Sequence, residues 1–335
     1  MPAGLCLAIE TSCDETAAAV LAGRSEVRAS VVSSHFVHAR YGGVVPELAA
    51  RAHSRLLVPV VTAALEEAGV GWRDLTCVAA THAPGLMGAL LVGLPFAKAV
   101  ARSLGLPFVG VNHLEGHLFA LRLSYPDLEP PFLGAILSGG HTELVVVEDW
   151  CRYRRLGATL DDACGEAFDK VAKLLGLGYP GGARIEELAR TAEPVIPFPL
   201  PTVEQGEHAG SLDFSFSGLK TAVLYWLRGH EDADPAEVAA SFQHAAVEGV
   251  ARRVVQAVDR TGLGVVGISG GVAANGRLRA RLGELATEHG FRLLVPELRW
   301  CSDNAAMIAA AGVERLARFG PSPLDLAAHA RLALA

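Results

Sequence analysis

At 335 residues and 51% hydrophobic, the chain can build one large domain or two medium ones; 19% charged residues and 36 glycines suit an α/β protein with many tight strand-to-helix turns. Its net charge of −7 weighs against tight autonomous nucleic-acid binding, which needs concentrated lysine and arginine. The start, Met-Pro-Ala-Gly-Leu-Cys-Leu-Ala-Ile-Glu, lacks a basic region, and no uninterrupted apolar run approaches the roughly 18–20 residues of a membrane helix, so a soluble cytoplasmic protein is expected.

In chain order, Leu5–Glu10 reads as an apolar strand, followed by the polar turn Thr-Ser-Cys-Asp-Glu-Thr and a second strand, Ala17–Leu21. Pro46–Ala68 and Pro84–Leu104 have helical apolar spacing with proline near each start. Phe132–Leu137 is again an apolar strand, followed by Ser138-Gly-Gly-His-Thr142 and the strand Leu144–Val147. Pro194–Pro201 and the polar stretch after it read as a loop or insertion. Pro235–Arg260 and Asn275–His289 read as long helices around the strand Gly264–Ile268, and Asn304–Phe319 as a last helix. Strand, small-residue turn, strand, occurring twice, suggests a duplicated α/β lobe with a cleft between the copies. The six cysteines are scattered, with no CxxC pair and no disulfide-like spacing. The basic clusters Arg152, Arg154, Arg155 and Arg277, Arg279, Arg281 read as a solvated rim, so a nucleic-acid substrate would need partners to share the grip.

His113-Leu-Glu-Gly-His117 places two imidazoles four residues apart in a helical segment, about 40° apart around the axis and within reach of one cation. Imidazole suits zinc and iron. Taken alone, the pair fits solvated or core histidines better than a metal site. Cys301-Ser-Asp-Asn304 precedes the last helix; Ser302 or Asp303 is the expected N-cap, and Asp303 is also the carboxylate that could complete the histidine site. In a zincin the general-base glutamate directly follows the first histidine; here Glu115 comes two positions on, about 200° around the helix, so a peptidase lacks its base.

Ser138-Gly139-Gly140-His141-Thr142 and Ser269-Gly-Gly-Val-Ala-Ala-Asn275 are glycine turns after apolar strands, where backbone N–H groups can approach a phosphate or another oxyanion. Neither is a GxGxxG or P-loop motif. In Asp161–Lys170, Glu166 and Asp169 share a helix face and Lys173 follows Asp169 by four, the spacing of an exposed salt bridge. The segment runs into Gly176–Gly182, where an acid could instead accept hydrogen bonds from ribose hydroxyls.

Together these segments resemble the TsaD family of tRNA N6-adenosine threonylcarbamoyltransferases, once described as O-sialoglycoprotein endopeptidases. The resemblance is carried by Ile9-Glu-Thr-Ser-Cys-Asp-Glu-Thr16, Pro84-Gly-Leu before Leu91-Val-Gly93, His113-Leu-Glu-Gly-His117 and Ser138-Gly-Gly-His-Thr142. It continues through Asp162-Ala-Cys-Gly-Glu-Ala-Phe-Asp-Lys170, Tyr179-Pro-Gly-Gly182, Asp213-Phe-Ser-Phe-Ser-Gly-Leu-Lys220, Ser269–Asn275 and Ser302-Asp-Asn-Ala-Ala-Met307. Three departures stand out: Ser302 for the usual Thr, Thr81-His-Ala-Pro84 for Gly-Pro-Gly, and Glu186 for Asp.

The resemblance implies two RNase-H-like lobes of the actin/hexokinase/Hsp70 (ASKHA) fold with an interlobe cleft. They are expected at residues 1–125 and 126–301, with an insertion around 190–215 and residues 302–335 packing back on the first lobe. It implies an acyltransferase moving threonylcarbamoyl from threonylcarbamoyl-AMP to N6 of adenosine 37 in tRNAs reading codons that begin with A. His113, His117 and Asp303 become ligands of one divalent metal, Fe(2+) or Zn(2+). Ile136, Leu137, Ser138, Gly139, Gly140, His141, Asp169, Gly182, Glu186 and Asn275 would contact the nucleotide-like substrate, with Asp14 and Glu15 beside the reacting centre. Expected partners are tRNA, a paralogous non-catalytic subunit and a small ATPase, with no membrane. The alternatives are a small-molecule kinase of the same fold, a non-catalytic nucleotide-binding scaffold and, least favoured, a metallopeptidase.

Overall fold

The computed structural model describes residues 4–34, 43–203, 207–208 and 210–334. Within the expected insertion, 204–206 and 209 lie outside the described residues, as do the first three residues of the chain. The chain divides into two compact units, Met1–Glu129 with Trp150–Arg152 and Pro296–Ala335, and Pro130–Asp149 with Tyr153–Val295.

The first unit contains β1 (Leu5–Glu10), β2 (Glu15–Ala22), β3 (Glu26–Ser34), α1 (Pro46–Ala68), β4 (Cys77–Ala83), α2 (Met87–Leu104), β5 (Phe108–Asn112), α3 (His113–Ser124) and α9 (Ala305–Phe319). Its sheet runs β3-β2-β1-β4-β5. β1 pairs antiparallel with β2 and parallel with β4, and β4 pairs parallel with β5. Strands covered on both faces read as unbroken apolar runs, which is why Leu5–Ile9 and Val78–Ala80 do not alternate. Leu7, Ile9, Val20, Val78 and Ala80 pack with Leu57, Val61, Leu94 and Ala97 from α1 and α2. α9 packs against β1, β2, β4 and β5, with Gly312 close to Ala79.

α2 starts at Met87 rather than Pro84. By length and apolar content alone it could cross a bilayer, but it packs on β4 and α1 and carries Lys98 and Arg102. Beyond α9 the described residues form no further helix. They run along β4 and β5 instead: Ser322 N–H donates to the Phe108 carbonyl and His329 N–H to the His82 carbonyl.

The second unit contains β6 (Phe132–Leu137), β7 (Thr142–Asp149), most of β8 (Arg152–Ala158), α4 (Cys164–Leu174), α5 (Gly181–Ala189), α6 (Phe216–Gly229), α7 (Pro235–Thr261), β9 (Val265–Ser269), α8 (Gly276–His289) and β10 (Arg292–Leu294). Its sheet runs β10-β9-β6-β7-β8, with β6 antiparallel to β7 and parallel to β9. Read from β8, this repeats the strand order of the first unit, and the pairings of β6 with β7 and β9 repeat in direction those of β1 with β2 and β4, so the doubled opening seen in sequence is a doubled topology. The third strands, β3 and β8, had no counterpart in the sequence reading: they are half-exposed and polar, as edge strands are. The two basic clusters lie on β8 and α8, where Arg154 pairs with Glu148 and Arg281 with Glu248 and Glu284.

Candidate metal centre and anion-binding turns

α3 begins where β5 ends, with Asn112 as its N-cap accepting from Leu114 N–H. Residues 113–123 of this helix are all buried, so its polar groups must find partners inside the protein. α9 supplies them. Arg315 reaches both oxygens of Glu115 at 3.1 and 3.3 Å, and Arg122 donates to Glu314 at 2.8 Å. At Gly116 a β-carbon would stand 2.7 Å from Ile308 Cδ1 and 3.2 Å from Met307 Cγ, so the glycine lets α9 side chains pack directly on the α3 backbone. Glu115 therefore belongs to the α3–α9 contact and not to the histidine face.

That packing brings Asp303, just ahead of α9, onto the two imidazoles. Asp303 Oδ1 is 3.5 Å from His113 Nε2 and 3.3 Å from His117 Nε2, and one ligand atom from each residue lies within 4.8 Å of the other two. Ligands at about 2.0–2.2 Å from a tetrahedral zinc stand about 3.3–3.6 Å apart, so these separations suit one ion. His117 is completely buried, and among the described residues its Nδ1 has no hydrogen-bond partner while its Nε2 faces only the site's own Asp303. An imidazole orphaned in this way, beside a carboxylate and a second imidazole, fits a divalent metal.

The expected cap is corrected: neither Ser302 nor Asp303 caps α9. Asn304 does, its Oδ1 accepting from Met307 N–H at 2.9 Å. Burial alone would lower His113, but Asp303 and Glu10 outweigh it and lift the ring to about 9. Burial dominates at His117 and lowers it.

Asp14 and Glu15 lie at the end of the first turn, Glu15 opening β2. Burial, with Asp303 and Asp14 adding negative charge, pushes Glu15 up to about 10. Sequence reasoning missed His53, the residue that braces this turn from α1. It is fully buried; Nε2 lies 3.0 Å from the Cys13 carbonyl and Nδ1 2.8 Å from Thr16 Oγ1. A carbonyl only accepts, so Nε2 carries a proton, and Nδ1 and the Thr16 hydroxyl share the second hydrogen bond. Its spacing to Leu57, Val61 and Ala64 already put it on the buried face of α1. Replacing His53 by leucine removes both hydrogen bonds and is expected to cost roughly 2–4 kcal/mol. Urea unfolding measures this, and an unchanged midpoint would refute the bracing role.

In the second unit, Ser138 N–H donates to the His141 carbonyl and His141 N–H to Ser138 Oγ, closing a turn that leaves Gly139 and Gly140 exposed. Nothing stands within 4 Å of where their β-carbons would be. Ile136 and Leu137 point fully buried side chains into the core, so only their main chain can face a ligand. α4 is fastened beneath the turn, with Cys164 N–H on Thr142 Oγ1 at 2.8 Å and Gly165 N–H on the Ser138 carbonyl at 3.2 Å. A side chain at Gly165 would strike that carbonyl and the Gly139 backbone at 2.8 Å, so the glycine sets the shape of the turn.

Of the other residues expected at the nucleotide, Asp169, Glu186 and Asn275 each join two elements. Asp169 accepts from Gly181 N–H at 2.7 Å and Glu186 from Gly276 N–H at 3.1 Å. Asn275 caps α8 through Leu278 N–H while donating to Gln243 Oε1 at 2.8 Å. Gly182 has open space at its β-carbon position. The salt bridge expected at Lys173 forms at Lys170 instead, which pairs with Glu166 at 2.9 Å and Asp162 at 2.7 Å.

Among solved structures, HypF from T. kodakarensis is similar at a TM-score of 0.64 and 16% identity, over 96% of this chain and 48% of that one. Component A of the (R)-2-hydroxyglutaryl-CoA dehydratase of Acidaminococcus fermentans is similar at 0.57 and 16%, over 94% and 99%. At such identities the likeness shows the fold alone, that of the actin-like ATPases and kinases. Sequence relatives are much nearer. The tRNA N6-adenosine threonylcarbamoyltransferase of Salinibacter ruber is 50% identical over 98% of this chain and all of its own length. Those of Gloeobacter violaceus and Kosmotoga olearia are 50% and 48% identical, over 98% and 95% of this chain and 95% and 96% of their own. The family model for TsaD, tRNA N6-adenosine threonylcarbamoyltransferase, matches residues 26–310, and the chain belongs to that family.

Proposed function

We propose that the protein transfers the threonylcarbamoyl group from threonylcarbamoyl-AMP to N6 of adenosine 37 in tRNAs reading codons that begin with A, giving t6A and AMP. The buried pair His113 and His117 against Asp303 carries this reading, because a small-molecule kinase of the same fold would leave that set without work. A divalent iron or zinc ion held by these three residues would supply Lewis acidity toward substrate oxygens.

The chain's own groups do the rest. The exocyclic amine of adenine is a weak nucleophile, so it must be held in line with the carbamoyl carbon. The Ser138–Thr142 turn and the turn opening at Ser269 offer main-chain N–H groups to the phosphate or carboxylate of the adenylate. Asp169, Gly182, Glu186 and Asn275 frame the same nucleotide. As N6 bonds to the carbonyl carbon, the bond from that carbon to the phosphate oxygen breaks and AMP leaves. Asp14, with Glu15 beside it in the turn, takes the proton N6 gives up.

A paralogous silent subunit and a small ATPase complete the assembly, working in the cytoplasm; shared tRNA binding fits the acidic net charge. The test is incubation with threonylcarbamoyl-AMP, unmodified tRNA and combinations of these partners, read by nucleoside mass spectrometry. Formation of t6A that depends on this chain is expected. Its absence under every combination would overturn the reading.

A further inference from the structure

Glu10, the last residue of β1, is completely buried and has no chemical role in the site as described so far. A carboxylate withdrawn from water persists only where its charge and lone pairs are met. Oε1 accepts a short hydrogen bond from Ser12 N–H. Oε2 accepts from Thr81 Oγ1 at 2.5 Å and faces His113 Nδ1 at 3.0 Å. Ser12 Oγ lies 3.1 Å from the same Nδ1. Thr81 sits where the β4–β5 register shifts, between Thr81 and Ala83, an irregularity of the kind that re-aims a side chain.

The consequence falls on His113. A carboxylate on Nδ1 holds the proton there, so Nε2, 3.5 Å from Asp303 Oδ1, is the nitrogen that gives up its proton when a metal ion binds and presents its lone pair. His117 has no such backing, for its Nδ1 is buried without a partner. The two imidazoles, alike in sequence, are thus unequal donors.

We infer that Glu10 is a positioning residue, which fixes the tautomer and ring orientation of His113 and makes its Nε2 the stronger nitrogen donor of the cluster. This rests on the metal reading of His113, His117 and Asp303. Loss of a carboxylate behind a ligating histidine costs roughly 10–100-fold in metal affinity.

The test uses the full chain stripped of metal and titrated with zinc against a chromophoric chelator. The proteins are the wild type, Glu10→Gln, Thr81→Val and Asp303→Asn, each melted first in the metal-free state. Wild type is expected to bind one zinc and Asp303→Asn to lose it. Glu10→Gln should keep the stoichiometry with affinity down roughly 10–100-fold, and Thr81→Val, which keeps the carboxylate, should fall less. Wild-type affinity in a normally melting Glu10→Gln, beside loss in Asp303→Asn, overturns the role of Glu10 and leaves the metal reading standing. No zinc on the wild type overturns both. Should Glu10→Gln misfold, long-range nitrogen–proton spectra of zinc-loaded wild type decide the question. His113, assigned by its absence in His113→Asn, must show a protonated Nδ1 and a metallated Nε2; the reverse tautomer overturns the proposal.

Discussion

Replacing His113 and His117 together by alanine is expected to abolish zinc or iron retention and threonylcarbamoyl transfer in the same preparation. The single variants should separate binding from folding. Among the described residues His117 Nδ1 has no hydrogen-bond partner and Nε2 faces the 20% exposed Asp303, so His117→Ala strands no fully buried group and should cost about 2 kcal/mol or less of stability, for lost packing. His113→Ala takes a partner from the buried Glu10 carboxylate and should cost more, on the order of 3–5 kcal/mol. Metal content by elemental analysis, t6A by mass spectrometry and urea midpoints measure the three quantities. Full transfer by a metal-free double variant would remove the metal from the mechanism altogether.

Replacing Glu314 by glutamine is expected to be the most destabilising single change outside the site. Glu314 takes Arg24 at 2.6 Å, Arg122 at 2.8 Å and Arg318 at 2.7 Å. Arg122 is the critical partner, because its side chain is only 2% exposed and lies 5.0 Å from the Trp150 ring. Without the carboxylate a guanidinium stays buried with only Glu129, at 3.6 Å, for a counter-charge among the described residues. Breaking such a pair costs roughly 3–5 kcal/mol, a fall in Tm on the order of 10 °C. Burial would raise Glu314, but Arg24, Arg318 and Arg122 outweigh it and hold the carboxyl at about 2, against an ordinary 4.5. A depressed carboxyl stabilises the fold above its unfolded value, and that stability is lost as pH falls from about 4.5 through about 2. The amount is on the order of 3 kcal/mol. Glu314→Gln should therefore melt lower at neutral pH and lose less on acidification. A variant melting with the wild type at pH 7 would show that Arg122 needs no partner. Because Arg122 and Glu314 join α3 to α9, zinc affinity should fall with stability.

Much of this was legible in the sequence because its causes are local. An apolar run, a small-residue turn and a second apolar run identify β1–β2 and β6–β7, since period and turn chemistry act over a few residues. Two histidines four apart on a helix must share a face, and a glutamate two positions after the first must leave it. Half-exposed edge strands such as β3 and β8 have no such signature. Asn304 rather than Ser302 capping α9 was equally hidden, because three adjacent residues all had capping side chains and backbone angles made the choice.

What the sequence by itself determined was the doubled topology, the helix carrying His113 and His117, and the family. These follow from periodicity, from spacing and from motifs kept in order from Ile9 to Met307. What only the tertiary structure decided was which distant groups meet: Asp303 on both imidazoles, Glu10 behind one of them, His53 under the first turn and Glu314 on Arg122. Each is a buried polar contact across more than thirty residues of chain. Such partners are chosen by the cost of leaving a charge or a hydrogen-bonding group unpaired in the interior, and that cost exists only once the chain has folded around them.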